Sequence, residues 1–218
     1  MHQPTGARPK VLLIELFSGI KGGRQAFTTT TAEVVGNFDS ELCEFAELLS
    51  SQNWPSSTNL GDISLITEDR IVDILANFVE LIDLIVVLGG FPCKDTSRLK
   101  AGRKNLRGKE SGKFSFFLQI MEWIRRNAKE VPVRFMVENT MMDNEAIDEV
   151  SAALHCKPWL IDAKEILACS RPRLYWTNWD FLAADGETIT HHERWSCITL
   201  KYDNNKMNIL DLGYLATL

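Results

Sequence analysis

Hydrophobic positions along this chain switch repeatedly between a period of two and a helical period, and the switches mark out elements. After a polar tail at 1–9, "KVLLIELF" (10–17) is a short apolar run of strand type. "GGRQAF" starts a helix, and "AEVVGNFD" (32–39) reads as a second strand. "SELCEFAELLSSQ" has helical spacing, with Ser40 as an acceptable N-cap. "TNLGDI" predicts a short third strand, and "TEDRIVDILANF" a helix that starts at Thr67, just before two acids. "LIDLIVVLGG" (81–90) is apolar on both faces, as a central parallel strand is. Beyond it, "KFSFFLQIMEWIRR" predicts a helix, "VPVRFMVEN" a strand and "DNEAIDEVSAAL" a helix. "KPWLIDAKEI" and "RPRLYWTNWD" predict two more strands.

Strands that alternate with helices imply an α/β fold: a doubly wound, mostly parallel sheet with helices on both faces. Such sheets bind ligands outside the carboxyl ends of their strands, where the winding reverses. The predicted organisation is a tail at 1–9, a core at 10–185 and a C-terminal extension at 186–218.

Composition narrows the class. A length of 218 residues suits one domain, and 45% apolar with 24% charged residues is ordinary for a globular protein. No apolar run reaches the roughly 18 residues of a membrane span, and "MHQPTGARPK" has no signal-peptide core. The five cysteines, at 43, 93, 156, 169 and 197, are scattered, with neither a disulfide framework nor metal-ligand spacing. His191–His192 lack two further ligands nearby, so no metal is expected. A reducing, intracellular setting is the expectation: the nucleus in a eukaryote, the cytoplasm or nucleoid in a prokaryote. The net charge of −5 argues against a free-standing nucleic-acid binder, yet Lys and Arg crowd "SRLKAGRKNLRGKESGK" (97–113). That segment is either a solvated loop or a phosphate-facing one, and its place just after Cys93 favours the second.

The strand ends carry the candidate chemistry. The first leads into "ELFSGIKGG", whose Gly19, Gly22 and Gly23 permit a tight turn and a close approach to a ligand, without P-loop or dinucleotide spacing. Asp39 or Glu41 follows at the distance of a ribose-binding acid, and Asp62 ends the third strand. Singly these acids read as solvated surface or caps; together they suggest a nucleoside pocket. The fourth strand ends in "GGFPCKDTS", which puts Cys93 on a loop at the ligand edge. A lone cysteine is commonly structural, but a neighbouring basic segment favours thiolate. The fifth ends at Glu138 and Asn139, beside Cys93 if strands four and five are neighbours. Cys93 with Glu138 is then a nucleophile–acid pair; the competing reading has Glu138 cap the next helix. Trp159, Trp176 and Trp179 are expected in the core, and Met141–Met142 under the Glu138 loop.

These motifs, in this order, resemble the cytosine-C5 DNA methyltransferases, most of all the de novo, Dnmt3-like branch. "ELFSGIKGGRQAF" resembles the family's first motif, "FPCKDTS" its Pro-Cys motif, "VENT" its Glu-Asn motif and "CSRPRLYWTNW" its Arg-x-Arg motif; "SGKFSFFLQI" resembles the segment between. The resemblance implies a Rossmann-like core with S-adenosyl-L-methionine as cofactor. It implies that Phe17 packs on the adenine, Glu41 holds the ribose, Asp62 meets the adenine amine, and Ile63, Gly19, Gly22 and Pro92 complete the pocket. It implies a flipped cytosine in DNA, attacked at C6 by Cys93, with Glu138 at N3 and Arg173, with Arg171 nearby, steadying the base.

The chain departs from the family pattern in places. Lys21 stands where a glycine or small residue is usual, and either narrows the cofactor turn or points to solvent. Lys94 replaces a Gln or Asn, Cys169 a Gln and Ser115 a Phe. The chain is expected to stop before the target-recognition region and final motif, which puts cofactor affinity and sequence specificity at issue. Two rival readings remain. One is a non-catalytic partner of a homologous methyltransferase subunit; the other is an enzyme acting on RNA.

Overall fold

The computed structural model describes residues 8–93, 111–165, 169–179 and 196–197. Among the described residues, eight strands form one sheet: β1 (Lys10–Leu16), β2 (Glu33–Ser40), β3 (Thr58–Asn59), β4 (Leu84–Gly89), β5 (Val133–Thr140), β6 (Pro158–Asp162), β7 (Pro172–Thr177) and β8 (Ser196–Cys197). The helices are α1 (Gly22–Phe27), α2 (Glu44–Asn53), α3 (Glu68–Phe78), α4 (Phe114–Asn127) and α5 (Asn144–Leu154).

The strand order is β3-β2-β1-β4-β5-β7-β6-β8. Pairing is parallel from β3 through β5, antiparallel for β7 against both β5 and β6, and parallel again for β8 against β6. The expected doubly wound, mostly parallel sheet is present. Winding reverses between β1 and β4, so their carboxyl ends flank the crevice where such sheets bind ligands. β8 joins this sheet from within the segment expected to be an extension; the expected boundary at 185 lies outside the described residues.

Periodicity explains the layers. α4 buries Phe114, Phe117, Ile120, Met121 and Ile124, a stripe at helical spacing. With Ile71, Ile74 and Leu75 of α3 and Ile147 and Val150 of α5, it packs on Leu12, Ile14, Ile85, Val87, Phe135 and Val137. The opposite face has a much smaller cluster, in which Phe27 of α1 and Trp179 meet Val11, Leu13, Leu84 and Val86. Trp159 and Trp176 are also buried, as expected, and so is Met142. Gly89 is required for α4 to approach, since a Cβ there would lie 2.6 Å from the Phe117 ring.

Some boundaries differ from the pattern. Ser40 is not a helix cap but the last residue of β2, and its hydroxyl donates to the Gly61 carbonyl at 2.6 Å. α2 begins four residues later, capped by Cys43 without a side-chain bond. "TNLGDI" holds only a two-residue strand, after which Asp62 starts a 3-10 turn. Thr67 does cap α3, accepting from the Arg70 amide at 3.3 Å.

Candidate active site

The chain leaves β1 through a strained turn. Phe17, Gly19 and Lys21 all have positive φ, at 59°, 55° and 60°. Glycine accommodates this without a Cβ penalty; Phe17 and Lys21 do not, and such strain collects at functional turns. A Cβ at Gly19 or at Gly22 would meet nothing within 4 Å, so the backbone there faces open space.

The two acids expected near a ribose differ in exposure. Asp39 has no exposure and is enclosed by Lys21 and by the hydroxyls of Ser18 (3.2 Å) and Ser57 (2.7 Å). Glu41 is half-buried at the rim. Its carboxylate accepts from the Gly19 amide at 2.7 Å, which ties it to the β1 turn, and locally from the amides of Leu42 at 2.8 Å and Cys43 at 2.7 Å. Asp62 uses one oxygen for both the amide and the hydroxyl of Ser64, and these bonds hold its carboxyl below the usual range. Ile63 is buried in the main core and forms wall rather than surface. A cavity of about 340 Å³ adjoins Glu41 and Leu42, with Glu47 and Leu48 of α2 also lining it; it shares only Glu41 with the expected cofactor set.

The second half of the site lies across the switch point. β4 and β5 are paired in parallel, with Gly89 opposite Val137, so Gly90 begins its loop beside Glu138. A Cβ on Gly90 would lie 3.3 Å from the Glu138 carboxylate. Asn139, 1% exposed, donates from Nδ2 to the Phe91 carbonyl at 2.9 Å and pins the loop that carries Pro92 and Cys93. Pro92 and Cys93 are both partly exposed. Glu138 is not the cap of α5: Asp143 caps it, accepting from the Ala146 amide at 3.0 Å.

Antiparallel β7 completes the arrangement. Because it runs against β5, its first residues reach the carboxyl edge, and Arg173 Nε lies 2.9 Å from Glu138 Oε1. Burial pushes the Glu138 pKa up, while the positive charges of Arg173 and Arg171 pull it down. Tyr175, opposite Glu138 on β7, has a raised pKa from burial and from that same carboxylate. Arg171 is exposed, and its amide is held by Asp162 at 2.7 Å. The geometry therefore puts a loop cysteine, a partly buried acid and a guanidinium at one sheet edge. Lys94, most of the basic segment and His191–His192 lie outside the described residues.

The family model for C-5 cytosine-specific DNA methylases matches residues 11–144, the stretch that carries both halves of this edge except β7. The chain belongs to that family.

Among solved structures, the methylase fold resembles a DNMT2 triple mutant from Spodoptera frugiperda at 18% identity and TM-score 0.55, covering 88% of this chain and 56% of that one. It also resembles the S. pombe Dnmt2 methyltransferase at 21% identity and TM-score 0.51, covering 78% and 50%. At these identities the likeness is one of fold. The chain spans about half the length of these relatives.

The cofactor-edge residues suit the S-adenosylmethionine that the family implies. Open space lies over Gly19 and Gly22, and Glu41 and Asp62 are acids whose remaining lone pairs can accept hydroxyl or amine donors. Three residues of this methylase site were missed by sequence reasoning as participants. Asn139 holds the cysteine loop, Lys21 is buried rather than solvent-facing, and Glu15 is a buried acid under the turn. The alternating burial of β5 carries a signal for Asn139, which falls on the inward positions.

Proposed function

We propose that this methylase transfers a methyl group to C5 of cytosine in DNA, through a covalent bond to Cys93. The observation that carries the reading is the shared edge of the β4 loop, Glu138 and Arg173, with Asn139 anchoring the loop. When bound, S-adenosylmethionine supplies an electrophilic methyl group; Phe17, Gly19, Gly22, Glu41, Asp62, Ile63 and Pro92 are the residues assigned to hold it.

The protein's own groups do the rest. The Cys93 thiolate forms a bond to C6 of a flipped cytosine, which makes C5 electron-rich enough to accept a methyl group. Glu138, its pKa raised by burial, supplies a proton or hydrogen bond at N3 and disperses the charge that develops on the ring. Arg173 holds Glu138 in place and, with Arg171, offers donors toward the base carbonyl. Removal of the C5 proton then breaks the C6–sulfur bond and frees Cys93.

DNA is preferred over RNA because the sequence around Cys93 lacks the usual signature of the RNA branch. The de novo branch is favoured by the motif details alone.

Covalent trapping tests the proposal. Incubating the protein with S-adenosylmethionine and a duplex containing 5-fluorocytosine should give a denaturant-resistant adduct. Cys93→Ser should abolish it, and a matched RNA should compete poorly. An adduct that survives in the Cys93→Ser variant would exclude this nucleophile.

A further inference from the structure

Lys21 combines two unfavourable features at the cofactor turn. Its side chain has no exposure, and its backbone is left-handed, φ 60° and ψ 50°. A buried ammonium is costly unless paired, and a left-handed backbone is costly for any residue with a Cβ. Such a residue persists where its surroundings hold it. Here Nζ lies 3.1 Å from Asp39 Oδ1 at the end of β2 and 3.6 Å from Glu47 Oε2 on α2.

α2 depends on polar ties of this sort. Ser50 is its one buried residue, while Phe45, Leu48 and Leu49 are 84%, 60% and 47% exposed. Apolar burial therefore does little to fix this helix. Besides Lys21, it is held by the Ser50 hydroxyl, 3.4 Å from the Gly19 carbonyl, and by Arg24 stacked on Trp54 just past its end, at 4.5 Å. Glu41 lies in the chain between Asp39 and Glu47, the two acids that Lys21 contacts, and accepts from the Gly19 amide of the same turn.

We propose that Lys21 is a positioning residue for cofactor binding: its ammonium clamps the β1 turn to β2 and to α2 and so fixes Glu41 at the ribose position. The inference rests on the cofactor reading above and extends it to a residue outside the expected set. Lysine does here, by an ion pair, what glycine would leave to backbone contacts alone. Lys21→Gly relieves the left-handed strain but strands Asp39 in the interior and releases Glu47.

The test uses the full chain, with calorimetric binding of S-adenosylmethionine and urea unfolding measured side by side. Lys21→Gly and Lys21→Met should each weaken binding about tenfold or more, the size of one charge-assisted contact. Lys21→Arg, which keeps the cation, should restore most of it. In Lys21→Met with Asp39→Asn, stability should recover toward wild type, since a neutral replacement for a buried ion pair is generally tolerated. Affinity should stay low, because α2 still lacks its tie. If Lys21→Met does not fold, the arginine and double variants carry the same comparison. Wild-type affinity in Lys21→Gly, or affinity that returns with stability in the double variant, would overturn the inference and leave Lys21 a folding role only. A wild-type chain that binds no cofactor would instead overturn the functional reading, and the inference with it.

Discussion

Burial and charge at single residues set the chemistry of both halves of the site. Burial lifts the Glu15 pKa from 4.5 to about 7; nearby Asp39 adds to the rise, and the Arg24 and Gly23 amides and Lys21 oppose it. The folded protein thus keeps this proton longer than the unfolded chain does. Stability from this group is complete below about pH 4.5 and is lost as pH climbs through about 7. Glu15→Gln stays neutral, so its unfolding free energy from urea titration should exceed that of wild type near pH 8 but not near pH 5, by at most on the order of 3 kcal/mol. Glu138 is raised by the same cause and held down by Arg173. Arg173→Ala should therefore move the alkaline limb of the pH–rate profile upward, and Glu138→Gln should cut the methylation rate by about 10²–10⁴-fold. An unmoved limb would separate Arg173 from the titration of Glu138. Sequence alone could nominate Cys93, Glu138 and Arg173, whose types and places in the chain are chemical facts. It could not tell Asp39 from Glu41, which flank the end of β2, because only packing shows that Asp39 is buried against a cation.

Elements were legible where capping and periodicity agree. Thr67 before α3 and Asp143 before α5 each accept a backbone amide from the first turn, and α4 carries its apolar stripe throughout. Asp143→Ala should cost about 1 kcal/mol by urea unfolding and leave the 5-fluorocytosine adduct intact, since Asp143 caps α5 and Glu138 does not. Asn139→Ala is expected to behave differently. It strands the buried Phe91 carbonyl, costing about 1–3 kcal/mol, and should also slow adduct formation by loosening the Cys93 loop. Equal adduct rates in wild type and Asn139→Ala would assign Asn139 to stability alone. α2 was placed poorly for a physical reason. Its apolar residues are mostly exposed, so the pattern that normally points a helix toward its core does not locate its start.

Across the whole molecule, one large core unites α3, α4, α5 and the sheet face beneath them, and a small one lies on the other face. Phe117 is central to the large core, 1% exposed and pressed against Gly89 at the end of β4. Phe117→Ala should cost about 3–5 kcal/mol in a single cooperative urea transition. A second transition would show that the α4 side unfolds apart from the rest.

The alternation of apolar runs and amphipathic stretches was enough to determine an α/β sheet and the central place of β4, and to nominate the carboxyl edge as the ligand edge, since local periodicity and chain connectivity suffice for those. Only the tertiary structure decided what long-range pairing controls. Reversal of β7 brings Arg173 to Glu138 across 35 residues of chain, and the closure of the β1 turn over Asp39 buries Lys21. A charged side chain carries no local sign of whether it will meet water or a partner. Which one it meets depends on atoms that folding delivers from elsewhere in the chain.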